Sequence, residues 1–288
     1  MSTITIIGPG AIGGLVAAWL CQDRDHDVTV AARTPFESLR LETPDGPLEA
    51  RPRVMTSPSE ARPSDWVLLA TKAYDSASAA AWLPGTMTDG SRIAVLQNGV
   101  DHVDRISEWA PRDRILPVIV DCPTERLAPG HVRQRGPVSL VVPRGLAGAE
   151  FAHLFDRIDI DCRQVDDFTT AAWRKLCINA AGVVNALTLR PAGVAHDEQA
   201  SRLMRLVVEE AAVVGRAEGA RLAEDIAEEV IGIYRGQPAD AVNSLHADRL
   251  AGGPTEIDLR NGIVVKLGAR HGIPTPFNDM AVALLKVK

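Results

Sequence analysis

Two kinds of apolar periodicity divide the chain. From residue 3 to about 165, short β-branched runs alternate with stretches of helical spacing; beyond Asp167 the runs vanish and apolar residues recur every three or four positions. The first pattern is that of a parallel sheet covered by helices, with strands predicted at 3–8, 28–32, 66–70, 93–97 and 115–120. Shorter runs at 131–134, 138–143 and 161–165 are predicted to extend the same sheet as antiparallel edge strands. The second pattern predicts helices over 168–189, 198–219, 239–250 and 256–272, separated by turn sequences such as Ala251-Gly252-Gly253-Pro254. The expected fold is therefore α/β, a doubly wound and mostly parallel Rossmann domain over 1–166, followed by an all-helical domain over 167–288.

Composition narrows the chemistry. The 288 residues are 46% hydrophobic, enough for two buried cores. With 31 basic against 37 acidic residues there is no electrostatic footprint for nucleic acid or an anionic membrane. Cys21, Cys122, Cys162 and Cys177 are scattered without metal-ligand spacing, so no metal site and no disulfide framework is expected. Reduced thiols, the absence of a leader-like start and of any apolar run near ~18 residues predict a cytoplasmic protein. The oligomeric state is left open, a homodimer being one option.

The loop Gly8-Pro9-Gly10-Ala11-Ile12-Gly13 closes a β-branched strand and opens a helical run, the context in which such glycines hold a dinucleotide. Gly8 permits the tight turn, Gly10 lets a pyrophosphate approach the backbone, and Gly13 lets helix and strand pack closely. An NAD site would end the second strand on an acidic residue; this one ends Val30-Ala31-Ala32-Arg33. Arg33 suits a 2′-phosphate, with no carboxylate expected in its slot, and the predicted cofactor is NADP.

Further polar segments follow: Thr71-Lys72 and Gln97-Asn98-Gly99 at predicted strand ends, Trp173 through Asn179, Ser244 with Asp248, Thr255-Glu256-Ile257-Asp258, and Gly272-Ile273-Pro274-Thr275-Pro276-Phe277-Asn278. Lys175 and Asn179, four residues apart, share one helix face. Taken in this order and spacing, the chain resembles the ketopantoate reductase (2-dehydropantoate 2-reductase) family over nearly its whole length. The resemblance implies NADPH-dependent reduction of a small 2-oxo acid, 2-dehydropantoate to pantoate first, in pantothenate biosynthesis. It implies that Lys175 is the proton donor, that Asn98, Asn179 and Ser244 contact substrate, that Glu256 lies at the reacting centre beside substrate and cofactor, and that Lys72 and Asn98 touch the cofactor. Such roles suit the chemistry, since hydride addition to a ketone leaves an alkoxide that must be stabilised and protonated.

Two positions depart from the family pattern. Val183 stands where a second asparagine usually follows Asn179, and Gly253 where arginine is common. Asn185 is the nearest replacement, about 120° round a regular helix from Asn179, and reaches the site only where Gly182 breaks that helix. Two other functions fit the same motifs: a related hydroxy-acid or opine dehydrogenase, and an NADP-binding regulatory protein without turnover.

Overall fold

The structure, a computed structural model, describes residues 1–287. They form two compact units, Met1–Gln97 with Asp101–Phe168, and Asn98–Val100 with the chain from Thr169 onward.

The first unit is built on six strands, β1 (Ser2–Ile7), β2 (His26–Ala31), β5 (Arg53–Met55), β6 (Trp66–Leu69), β7 (Arg92–Val95) and β8 (Ile115–Pro117), the labels β3 and β4 belonging to Leu39–Thr43 and Gly46–Ala50. All six pair in parallel, in the order β5-β2-β1-β6-β7-β8. Alternate residues feed two cores: Ile4, Ile6, Trp66, Leu68 and Ala94 pack on one face, Ile7, Val67, Leu69, Ile93 and Val95 on the other. Apolar residues on both faces require cover on both, which is what confines such sheets to the inside of α/β proteins. The chain leaves β1 to build β2 on one side and later returns to build β6 on the other. Strand order thus reverses around β1 and β6, the place where doubly wound sheets bind ligands.

The short runs after β8 do not extend this sheet. Strands β9 (Ile119–Asp121), β12 (Ser139–Pro143) and β13 (Asp161–Val165) make a separate three-stranded sheet, and β10 (Thr124–Ala128) and β11 (His131–Gln134) join β3 and β4 in a four-stranded one. The predicted strand at 115–120 is split because Pro117 ends β8, its nitrogen having no hydrogen to donate to a ladder. The four-stranded sheet explains why the Ala11–Leu20 helix is apolar all round. Seven of its residues are buried, Gly13 facing Gly8 and Ala70 and Gly14 facing Val132 of β11.

The second unit is helical, with Phe168–Ala181, Val183–Thr188, Glu198–Ala217, Ile226–Gly236, Ser244–Leu250, Asn261–His271 and Pro276–Lys286 around one apolar core. The helix predicted to run unbroken through residue 189 stops at Gly182. A Cβ there would lie 2.6 Å from the Tyr234 hydroxyl and 2.8 Å from Asn243 Nδ2. Side chains reach the carbonyls around the break: Tyr234 Oη donates to Ile178 O (3.0 Å), Asn261 Nδ2 to Ala180 O (3.2 Å), and Asn243 Nδ2 to Gly182 O (3.1 Å), which also accepts from Ala186 N (3.4 Å).

At the strand ends of the first unit, His102 is buried and its Nε2–H donates to Gln97 O at 2.8 Å. Burial, with Arg105 nearby, lowers its pKa to about 4. An unfolded histidine titrates near 6.5, so from about pH 6.5 down to 4 the unfolded chain binds the extra proton and stability falls as pH falls. His102→Gln is expected to flatten that acid-side loss by up to about 3 kcal/mol. Urea unfolding followed from neutral to acid pH checks this, and superimposable profiles for the two proteins would refute it.

Candidate active site

The glycine loop follows β1 at the switch point. Gly8 has φ +89°, and a Cβ on it would press 2.6 Å from Thr71 Cγ2, so this turn and the Thr71-Lys72 segment abut. A Cβ on Gly13 would stand 2.3 Å from Gly8 O. The fold itself therefore demands glycine at both positions. At Gly10 it does not: the nearest atom to an added Cβ is 4.0 Å away and φ is −76°. What glycine leaves open there is space beside the helix start, where Ala11, Ile12 and Gly13 present N–H groups with no side-chain cap and no acidic residue in the first turn. That cradle carries the positive end of the helix dipole and fits a diphosphate.

Gln97 ties the neighbouring loops together. Its Nε2 donates to Thr71 O (3.1 Å), Thr71 Oγ1 (3.2 Å) and Ser76 Oγ (3.0 Å), while Arg105 Nε donates to its Oε1 (3.2 Å). Lys72, directly after Thr71, begins the turn Ala73–Asp75. Arg33 lies two residues past β2 with 85% of its side chain exposed, and Asp75 Oδ2 stands 3.3 Å from its Nη2. The expectation of no carboxylate in that slot is corrected by this pair. Its partner arrives from the turn after β6, which residue order along β2 could not reveal. An ion pair so exposed contributes about 0–1 kcal/mol, too little to withhold the guanidinium from a phosphate.

In the second unit three predicted residues meet. Asn179 Nδ2 donates to Asn98 Oδ1 (3.3 Å) and Asn98 Nδ2 donates to Glu256 Oε2 (3.2 Å). Glu256 is buried, 7% exposed, at the head of the turn Ile257–Leu259. Lys175 is half-buried, one turn before Asn179 on the Phe168–Ala181 helix. Ser244 is exposed as the first residue of its helix; the cap is Asn243, whose Oδ1 accepts from His246 N (3.0 Å), so capping does not occupy the Ser244 hydroxyl. This arrangement offers a cation, a carboxylate and two oriented amides, the set needed to grip a polar molecule and protonate an oxygen.

The break at Gly182 does not bring Asn185 onto the face of Lys175 and Asn179. Asn185 is buried with Nδ2 donating to Arg190 O (3.0 Å), serving the end of its own short helix. Val183 is fully buried in the apolar core. Sequence reasoning passed over Arg260, which the structure buries at 2% exposure at the other end of the Ile257–Leu259 turn from Glu256. Its signal was weak, a lone arginine beside Asn261-Gly262 within the helix predicted over 256–272.

Residues 4–145 match the family described as "Ketopantoate reductase PanE/ApbA", and residues 167–288 match "Ketopantoate reductase PanE/ApbA C terminal". A 2-dehydropantoate 2-reductase of Caulobacter vibrioides is 52% identical over 285 residues, covering 99% of this chain and 98% of that protein. One from Mycobacterium tuberculosis is 40% identical over 287 residues, covering 98% and 96%. The crystal structure of a PanE/ApbA family ketopantoate reductase from Ralstonia eutropha JMP134 matches with a TM-score of 0.91 at 31% identity, covering 99% of this chain and 97% of that one.

The loop geometry separates two glycine substitutions. Gly13→Ala should cost roughly 1–3 kcal/mol of stability through the backbone clash. Gly10→Ala should change the stability of the ligand-free protein by less than about 1 kcal/mol yet weaken NADP binding at least about tenfold. Thermal unfolding with and without NADP reads both; equal behaviour of the two variants contradicts the assignment.

Proposed function

The chain belongs to the ketopantoate reductase family, and from that premise we propose how its residues reduce 2-dehydropantoate to pantoate, the step that serves pantothenate biosynthesis. It is an NADPH-dependent oxidoreductase acting on a small 2-oxo acid. Similarity to a 2-dehydropantoate 2-reductase over 99% of the chain favours this reading over a hydroxy-acid or opine-type dehydrogenase and over a non-catalytic regulator.

The observation that carries the reading is the Asn179–Asn98–Glu256 chain one helical turn from Lys175. NADPH, when bound, supplies the hydride. As the ketone carbon gains it, the carbonyl oxygen keeps the π pair and becomes an alkoxide. Lys175 stabilises that charge and gives the oxygen an Nζ proton, to be replaced from solvent. Asn98 and Asn179 orient the substrate, Ser244 offers a hydroxyl to its polar groups, and Glu256 holds Asn98 by accepting from its amide. For the cofactor, Gly8, Pro9, Gly10, Ala11, Ile12 and Gly13 would hold the diphosphate and Arg33 the 2′-phosphate, with Lys72, Asn98 and Glu256 as its further ligands. Asn185 has no role in this scheme, its amide being committed to Arg190.

We place the protein in the cytoplasm. Burial raises the thiol of Cys21 to about 11 and those of Cys162 and Cys177 to about 12, which suits inert thiols of a reducing compartment. None of the described helices is long and apolar enough to cross a membrane.

Lys175→Ala is expected to lower kcat by about 10²–10⁴, the usual worth of a general acid, with NADPH affinity unchanged. NADPH oxidation with 2-dehydropantoate measures the first and fluorescence titration the second; an unchanged kcat removes the proton-donor role. Arg33→Ala should raise KM for NADPH by about tenfold or more while leaving KM for NADH nearly constant. Parallel changes in both constants would show that Arg33 does not read the 2′-phosphate.

A further inference from the structure

Among the described residues only two side chains bearing a carboxylate, ammonium or guanidinium are buried, Glu256 and Arg260, and they bracket the single turn Ile257–Leu259. Glu256 has a partner in Asn98. Arg260 is different: its Nε and Nη1, which carry three of the five guanidinium N–H donors, are sealed from solvent and have no hydrogen-bond partner among the described residues. A guanidinium so placed is among the costliest groups to leave unmatched, since it is removed from water and these three donors have no acceptor. Burial lowers its pKa, opposed by Tyr234, Glu256 and Asp248, so these three lie within electrostatic reach.

The substrate class supplies what is missing. A 2-oxo acid brings a carboxylate next to the ketone being reduced. It enters a site that already holds the Glu256 carboxylate, with Asp248 on the helix that begins at Ser244. Without a second cation the incoming charge would be repelled, because Lys175 is engaged at the ketone oxygen. We infer that Arg260 binds the substrate carboxylate through its unmatched donors and so selects 2-oxo acids over neutral ketones. Guanidinium suits this task better than ammonium, since its planar fork matches both carboxylate oxygens and it stays charged when buried. Arg260 begins the Asn261–His271 helix, and the Asn261 side chain is held by Ala180 O and Asn278 Oδ1, which fixes the backbone from which the arginine extends.

This inference rests on the 2-oxo acid reductase reading, and the test separates the two. The probes are 2-dehydropantoate and its primary amide, which keeps the ketone and the shape but not the charge, each reduced by saturating NADPH. The wild-type protein should prefer the acid by about 100-fold in kcat/KM. Arg260→Gln should lose that preference, with KM for the acid rising about 100-fold and the amide changing less than about threefold. Arg260→Lys, which keeps the charge and fold but not the fork, should retain part of the preference, roughly a tenth of it. An acid-to-amide ratio unchanged in Arg260→Gln overturns the inference, as does a wild-type protein that reduces the amide as well as the acid. Should Arg260→Gln fail to fold, an unchanged ratio in Arg260→Lys overturns it equally. Absence of turnover of either probe by wild type would instead defeat the reductase reading, and this inference with it.

Discussion

The helical unit depends on how the carbonyls released at Gly182 are satisfied. A helix that ends inside a protein leaves acceptors that water cannot reach, and each one unmatched costs about 1–3 kcal/mol. Here Tyr234 and Asn261 take Ile178 and Ala180, Asn243 adds a second donor to Gly182 O beside Ala186 N, and each side chain comes from a different segment of the chain. Asn243 is also the cap of the helix that starts at Ser244, and Asn261 opens the helix just after Arg260. Satisfying the break therefore brings the helix of Lys175 and Asn179 together with the segments that bear Ser244 and Glu256. The same network runs on from Asn261 through Asn278 to Glu210, whose carboxylate accepts from Phe277 N and Asn278 N at the start of Pro276–Lys286. The placement of these candidate site residues follows from satisfying backbone carbonyls.

In the first unit the organising constraint is close approach. Gly13 admits the helix to the Gly8 carbonyl, Gly14 admits it to Val132, and the helix is thereby held between two sheets. Rigid placement leaves its N-terminus in one position, with Gly10 the point where packing of the chain itself asks for no glycine. Gln97 extends this rigidity across the ends of β6 and β7 by binding Thr71, Ser76 and Arg105 at once. A polar side chain that serves three loops replaces the conformational freedom those loops would otherwise have lost only on binding.

Much of this was legible in the residue pattern because the features are local. The glycine loop, the β-branched strands of the main sheet and the amphipathic helix Glu198–Ala217 each declare themselves within a few turns of sequence. The hairpin Leu39–Thr43/Gly46–Ala50 did not, because its run carries Arg40, Glu42 and Glu49 and its stability comes from β11, some ninety residues away. Nor did the destination of Ile119–Asp121, which is decided by pairing with β12. In the candidate site, Lys175, Asn179, Asn98 and Glu256 were singled out through the family resemblance, whereas the Arg33–Asp75 pair and the burial of Arg260 depend on contacts that no periodicity encodes. Val183 illustrates the same limit. Helical spacing places it near Asn179, yet its side chain is fully buried in the apolar core.

The polarity of the site follows from its one buried carboxylate. A carboxylate can only accept, so Glu256 Oε2 compels Asn98 to present its NH₂ group, which turns Asn98 Oδ1 the other way. Asn179 must then present its own NH₂ to that oxygen. Two amides that could each adopt either orientation are reduced to one arrangement by a single charge. A glutamine in place of Glu256 could donate or accept and would leave both asparagines free to invert. The charge of Glu256 is therefore structural as well as chemical, since it settles which atoms the asparagines show to a bound molecule. It also makes a compensating cation necessary before an anionic substrate can settle beside it, a demand that the residues closing the next turn are built to meet.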